Sequence, residues 1–137
     1  MTGYLVDTIV LSELVRPVPE PRVAALLTRE RDLWLSVVTL HELVYGAEQI
    51  AEPARRGRLS GWIETVKFRF GARIVAVDEA VAEQAGRMRA GAAAVGRTAD
   101  PLDVLVAATA RVRSMTLATR NVKDFAALDV IVFNPWA

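Results

Sequence analysis

The sequence predicts an α/β protein with a mostly parallel central sheet of four to five strands flanked by helices. Short apolar runs alternate along the whole chain with longer amphipathic stretches. Strands separated by helices join through right-handed crossovers, which place helices on both faces of the sheet. The 137 residues contain no internal repeat, low-complexity tract or linker. We therefore expect residues 1–137 to form a single domain.

The first half of the chain predicts two strands and four helical segments. The apolar run Gly3–Val6 predicts a buried strand that ends on Asp7, and a helical stretch, Val10–Val15, follows it. Three prolines between residues 17 and 21 then separate this stretch from an amphipathic helix that includes Val23–Leu27. The remaining elements of this half are a strand, Leu33–Val38, a helix that begins at Thr39, and a helix from Pro53 to about Phe70.

The second half predicts three strands and two long helices that carry clear start signals. Asp78 caps an Ala-rich helix that extends to about Val95. After a loop over Gly96–Ala99, Asp100 supplies a cap and Pro101 a first-turn proline, which together predict a helix through Leu102–Val112. The strands are Arg73–Val77, Thr116–Thr119 and Val130–Phe133, with a helical turn at Val122–Phe125 between the last two.

The composition excludes several classes of site. The chain has no Cys and one His, which rules out a disulfide scaffold, a Cys-ligated zinc site, an iron–sulfur cluster, a cysteine nucleophile and a His-rich metal site. Its cations are 15 Arg and 2 Lys, and Arg is suited to bidentate contact with phosphate or carboxylate. No stretch approaches the roughly 18 apolar residues of a membrane span, and the N-terminus lacks the basic start of a signal peptide. We expect no membrane association and a cytoplasmic location.

Five polar side chains are predicted to meet at the carboxyl edge of the sheet, where open parallel sheets bind ligands. They are Asp7 at the end of the first strand, Glu42 in the first helical turn after the second, Asp103 in the first turn of its helix, and Asn121 and Asp124 after the fourth strand. A carboxylate cluster with no Cys and almost no His favours Mg²⁺ or Mn²⁺ over zinc or copper. Such a site suits phosphodiester hydrolysis, because the metal activates water and neutralises charge on phosphate.

Each of these acids also has a structural explanation. Glu42 follows Thr39 at the spacing of a capping box, so it could serve only to satisfy a helix start. Asp103 could merely favour the helix dipole, and Asp124 is equally typical of a turn. Asp7 is harder to explain in this way, because a carboxylate that ends an apolar strand is unfavourable unless it is solvated, paired or metal-bound. Structural roles alone leave unexplained why all the acids fall at one edge.

Motifs from end to end resemble the PIN-domain ribonuclease toxins of bacterial type II toxin–antitoxin systems, the VapC family, and especially its FitB-like branch. The resemblance lies in Tyr4–Leu14, Pro19–Val23, Leu35–Gly46, Asp103–Ala110 and Leu117–Phe125. Four acidic motifs in order and at suitable spacing make the resemblance specific, whereas any one alone would be weak.

The resemblance implies a PIN fold and a metal-dependent endoribonuclease. It implies that Asp7, Glu42 and Asp103 hold Mg²⁺, with Mn²⁺ as a substitute, and that Asn121 and Asp124 contribute nearby together with Thr119. The implied partners are an RNA substrate, a cognate antitoxin, operator DNA reached through the antitoxin, and a second copy of the chain.

One position departs from the family pattern. Ile9 stands where the family usually has Asn, two residues after the first Asp. Loss of an amide that orients Asp7 would weaken metal binding, since such outer groups commonly change affinity or activity by about 10–100-fold. This departure favours an alternative function, a catalytically weak binding module that acts mainly in an antitoxin–DNA complex. The retained acids oppose that alternative.

Overall fold

The centre of the protein is a five-stranded sheet in which every neighbouring pair of strands is parallel. The computed structural model describes residues 3–29 and 32–137. The strand order is β3-β2-β1-β4-β5, so the first strand lies in the middle. The strands are β1 (Tyr4–Val6), β2 (Leu33–Ser36), β3 (Ile74–Val75), β4 (Thr116–Ala118) and β5 (Val132–Phe133). The predicted α/β class with a parallel sheet is confirmed.

Six α-helices and three 3-10 turns accompany the sheet in the described ranges. The helices are α1 (Thr8–Ser12), α2 (Pro21–Arg29), α3 (Val37–Glu48), α4 (Pro53–Phe70), α5 (Glu79–Ala94) and α6 (Pro101–Val112). The 3-10 turns are Glu13–Val15, Gly71–Arg73 and Val122–Phe125. No helix within residues 3–29 and 32–137 is both long and apolar enough to cross a membrane.

Two apolar clusters, one on each face of the sheet, form the core. Successive residues of a strand point to opposite faces, and β1 shows this directly because Leu5 belongs to one cluster and Val6 to the other. Both side chains are fully buried. The Leu5 cluster includes residues of α5 and α6, and the Val6 cluster includes residues of α1 to α4. Helices therefore cover both faces, and the strand ends are left to form a site.

The two long helices of the second half begin where their start signals predict. Asp78 Oδ1 accepts a hydrogen bond from the Val81 N–H at 3.0 Å, and Asp100 Oδ1 accepts one from the Leu102 N–H at 2.8 Å. Each bond satisfies an N–H that has no partner within its own helix. The predicted helix from Pro53 to Phe70 also matches α4.

The end of β2 differs from the sequence prediction. This strand stops at Ser36, and α3 begins at Val37, two residues before Thr39. Ser36 Oγ accepts a hydrogen bond from the Val38 N–H at 3.0 Å and so caps the helix. The prediction of a strand over Leu33–Val38 is therefore wrong in its last two residues. The β-branched valines there are typical of strands, but the cap at Ser36 places them in the first helical turn.

Other boundaries shift by one to two residues. The strands predicted to start at Arg73 and Val130 are shorter in the structure, with bounds Ile74–Val75 and Val132–Phe133. The helix predicted over Val10–Val15 begins earlier, at Thr8, and its last three residues form a 3-10 turn. Because β1 ends at Val6 and α1 starts at Thr8, Asp7 is the single residue between strand and helix.

Candidate active site

Asp7 is the most firmly held acid of the site. Its Oδ1 accepts a hydrogen bond from the Thr8 N–H at 2.8 Å, and its Oδ2 accepts one from Thr119 Oγ1 at 2.7 Å. Only 7% of Asp7 is exposed. Burial raises the pKa of the Asp7 carboxyl, the two hydrogen bonds act against that rise, and the charge of Asp124 adds to it. The carboxylate is thus oriented from both sides at the carboxyl end of the central strand.

Glu42 is tied to the first helix rather than to the start of its own helix. Its Oε1 accepts a hydrogen bond from Thr8 Oγ1 at 2.9 Å. The capping-box interpretation is therefore wrong, because Ser36 caps α3 and Thr39 lies inside it. The buried Thr39 hydroxyl has no hydrogen-bond partner among the described residues.

The environment of Glu42 also disfavours its charge. Burial raises the pKa of this carboxyl, the hydrogen bond from Thr8 opposes the rise, and the charges of Asp7 and Asp100 add to it. Glu42 is half-buried beside Asp7 and shares Thr8 with it as a neighbour. Two acids that are distant in the chain thereby meet at one edge of the sheet.

Asp103 has the most strongly perturbed carboxyl of the site. Burial first, and then the negative charge of the neighbouring acids, raises its pKa from 3.8 to about 6. Those acids are Asp100, Asp7, Asp124 and Glu42. No side chain within residues 3–29 or 32–137 donates a hydrogen bond to the Asp103 carboxylate, in contrast to Asp7. Asp103 is therefore the acid whose charge is least compensated.

Asn121 and Asp124 lie at the exposed rim of the same edge. The Asn121 N–H donates to Thr119 Oγ1 at 3.1 Å, which links this segment to the residue that holds Asp7. The Asp124 N–H donates to the Asn121 carbonyl oxygen at 3.1 Å, as in a turn. The charge of Asp124 nevertheless raises the pKa of both Asp7 and Asp103. The structure thus brings all five predicted residues to one edge.

The donor set at this edge is made of oxygen atoms and suits a hard divalent cation. In the parts of the chain that the structure describes, no three His, Cys, Asp or Glu side chains are arranged to hold a metal as they stand. Mg²⁺, however, is usually bound by one or two carboxylates and keeps several water ligands. A cation would also relieve the mutual repulsion that raises the pKa of Asp103. The residues present therefore fit such an ion.

Sequence reasoning missed two contributions to the site. Thr8 donates to Glu42, and the only available signal was a hydroxyl residue directly after Asp7. Asp100 caps α6 as predicted, but its charge also raises the pKa of Glu42 and Asp103. A cavity of about 470 Å³ adjoins these acids, lined by Arg97, Thr98, Ala99, Asp100, Asp103, Lys123, Asp124 and Ala127.

This geometry, with acids at the carboxyl edge of a five-stranded parallel sheet, matches a known domain class. The model of the PIN domain family matches the sequence over residues 4–131. The chain belongs to the PIN-domain family.

Within that family, the chain is closely similar to FitB and VapC proteins, which confirms the resemblance in the sequence. "Toxin FitB" of Neisseria gonorrhoeae is 38% identical over 135 residues, which cover 96% of this chain and 97% of the relative. A "tRNA(fMet)-specific endonuclease VapC" of Shigella flexneri is 26% identical over an alignment of 138 positions that covers all of both chains. A solved "Structure of FitAB bound to IR36 DNA fragment" contains a chain that is 37% identical, with a TM-score of 0.89 over 98% of this chain and 96% of that one.

Proposed function

We propose that this chain is a Mg²⁺-dependent endoribonuclease and the toxin of a type II toxin–antitoxin module, acting as one PIN domain. The observation that carries the proposal is the set of Asp7, Glu42 and Asp103 at one edge, each with a raised pKa. Burying and crowding carboxylates in this way is unfavourable without a ligand of opposite charge. The relatives named as a toxin and as an endonuclease support the same function.

Asp7 and Asp103 are the residues that would hold the metal, with Glu42 as a further ligand or a base. When bound, Mg²⁺, or Mn²⁺ in its place, lowers the pKa of a water ligand and neutralises charge on the phosphate. Thr119 and the Thr8 N–H keep Asp7 in a fixed orientation for this task. Asn121 and Asp124 lie at the rim, where the substrate enters.

Glu42 is suited to take a proton from the attacking water. Its raised pKa makes Glu42 a stronger base than an ordinary Glu. The hydrogen bond from Thr8 Oγ1 to Oε1 orients the carboxylate. In the reaction, the water oxygen bonds to phosphorus, its proton passes to Glu42, and the bond between phosphorus and the leaving ribose oxygen breaks. The leaving oxygen takes a proton from solvent.

The substrate and partners follow from the same proposal. Single-stranded RNA loops are the expected substrate, because their backbone is accessible. A cognate antitoxin would place a basic side chain among the acids, and it would carry the toxin to operator DNA, in line with the DNA-bound FitAB structure. We further propose a homodimer that acts in the cytoplasm, where its RNA substrate is found.

Substitution of the two proposed metal ligands tests the catalytic assignment. Asp7→Asn and Asp103→Asn should each abolish Mg²⁺-dependent RNA cleavage without unfolding the protein. Asp129→Asn is the matched control, because Asp129 pairs with Arg111 and contributes to none of the raised pKa values. Cleavage is followed on gels and folding by circular dichroism. Parent-like cleavage by either site variant would show that the assignment is wrong.

Ile9 supports the second candidate, a weakly catalytic binding module. Its side chain packs against the Val6 cluster and provides no donor for the site. Under this alternative, the unmodified chain would fail to cleave RNA in either Mg²⁺ or Mn²⁺ yet would still bind its antitoxin.

A further inference from the structure

The cavity beside Asp103 has walls of both charges. Asp100, Asp103 and Asp124 line it together with Arg97 and Lys123. The acids belong to the edge at which we place catalysis, whereas the two cations have no role in the proposed reaction. Arg97 follows α5 and Lys123 lies in the 3-10 turn after β4, so the cations come from separate segments.

Neither cation is neutralised by the acids that share its cavity. The ion pairs within residues 3–29 and 32–137 are Arg16–Glu13, Arg22–Glu20, Lys67–Glu64 and Arg111–Asp129. Arg97 and Lys123 are both exposed and make no ion pair in these ranges. Their charged groups are therefore available to an anion that enters the cavity.

The backbone positions of both cations are well fixed. The Arg97 N–H donates to the Ala92 carbonyl oxygen at 2.9 Å, and the Gly96 N–H donates to the Ala93 carbonyl oxygen at 3.0 Å. This is the Schellman arrangement that ends a helix, and the positive φ of Gly96, 76°, is the conformation it requires. In the 3-10 turn, the Lys123 carbonyl oxygen accepts from the Ala126 N–H at 3.3 Å. The backbones of Arg97 and Lys123 are therefore held in place, while their charged side-chain ends are available to contact phosphate.

We propose that Arg97 and Lys123 bind two RNA backbone phosphates next to the one that is cleaved. The proposal rests on the proposed function, because it takes the cleaved phosphate to lie at Asp103. An RNA strand that reaches Asp103 must continue past it, and the cavity offers cations on that path. Such contacts position the strand without reading its sequence. They also offset the repulsion between RNA and the acidic edge.

The salt dependence of RNA binding tests the proposal. A labelled single-stranded RNA of mixed sequence is titrated with protein in EDTA, which prevents metal-dependent cleavage, at salt concentrations from about 50 to 200 mM. Arg97→Ala with Lys123→Ala should weaken binding about tenfold. It should also reduce the slope of log affinity against log salt by about 1.4, since each phosphate of a single strand contributes about 0.7.

A matched double variant separates specific contacts from loss of net charge. Arg89→Ala with Lys67→Ala removes one Arg and one Lys from helices α5 and α4, outside the cavity. This control should keep the slope of the unmodified protein. Equal slopes in the two double variants would overturn the proposal.

Three further outcomes keep the binding proposal distinct from the proposed catalysis. If the slope of log affinity against log salt falls as expected in the Arg97/Lys123 double variant, but the unmodified protein does not cleave RNA in Mg²⁺, the phosphate contacts are supported and the proposed nuclease activity is refuted. If the unmodified protein cleaves RNA but the slope is unchanged in the double variant, the nuclease activity is supported and the phosphate contacts are refuted. If the cavity variant keeps its RNA affinity but loses affinity for poly-glutamate, the cavity binds an acidic protein segment, and the RNA proposal is wrong.

Discussion

Replacing Asp103 with Asn should stabilise the metal-free protein at neutral pH. Burial and four neighbouring acids raise the pKa of this carboxyl from 3.8 to about 6. At about 1.36 kcal/mol per unit, that rise corresponds to at most about 3 kcal/mol of unfavourable free energy in the ionised state. Asp103 is partly solvated, which screens the interaction, so we expect a gain of about 1–2 kcal/mol. For a chain of this size the melting temperature should rise by about 3–8 °C.

The sign of the pH dependence provides a sharper check. A carboxyl with a raised pKa binds more protons in the folded state than in the unfolded state between pH 3.8 and about 6. The stability of the unmodified protein should therefore fall as pH rises through this window. Asn carries no charge, so the advantage of Asp103→Asn should be full above about pH 7 and should vanish towards pH 4.

Thermal melts in EDTA across this pH range measure the effect. Asp129→Asn is the control, because Asp129 is exposed and lies outside the acid cluster. Added Mg²⁺ should stabilise the unmodified protein more than Asp103→Asn, since a bound cation removes the repulsion. If Asp103→Asn melts at or below the unmodified protein at neutral pH in EDTA, the acids do not repel one another as described.

Two substitutions around Asp7 test how it is positioned. Thr119→Val removes the donor to Asp7 Oδ2 and should weaken Mg²⁺ affinity about 10–100-fold with the fold retained, as measured by calorimetry; unchanged affinity would deny Thr119 an orienting role. Ile9→Asn should tighten Mg²⁺ binding and raise cleavage at limiting metal by no more than about 10–100-fold, with the gain shrinking at saturating Mg²⁺. Coincident cleavage curves across a Mg²⁺ series would show that Ile9 serves only to pack against the Val6 cluster.

The sequence predicts the elements of this fold well where the start signals are unambiguous. The side chains of Asp78 and Asp100 cap their helices as expected, and Pro101 occupies the first turn of the second helix. An Asp directly before an apolar helical run is a strong helix-start signal, because its carboxylate accepts hydrogen bonds from the free N–H groups of the first turn. At α3, two hydroxyl residues compete for the cap, and the pattern around Thr39 favours the wrong one. The hydrogen bond from the Val38 N–H to Ser36 Oγ decides where the helix starts, and hydrophobic periodicity does not reveal it.

The same contrast holds for the site. Parallel topology alone brings the ends of β1, β2 and β4 to one edge, so the meeting of Asp7 with Glu42 could be predicted from chain order. The contact between Thr8 and Glu42 could not, because it joins side chains 34 residues apart and depends on where α3 begins. The raised pKa of Asp103 likewise depends on burial first and then on acids from several separate segments, and neither follows from the local sequence.

The acids at this edge differ in how their charge is compensated, and that difference connects the proposed catalysis with the proposed inhibition. Asp7 has two hydrogen-bond donors and Glu42 has one, whereas Asp103 has none from the described side chains. An uncompensated carboxylate beside like charges attracts whichever cation can approach, a divalent metal or a basic side chain of a partner. Both would draw on the same electrostatic field, so binding of one must weaken binding of the other. Under the proposed function, an antitoxin that uses this field would inhibit RNA cleavage by occupying the position of the metal, and the proposal requires no separate inhibitory site.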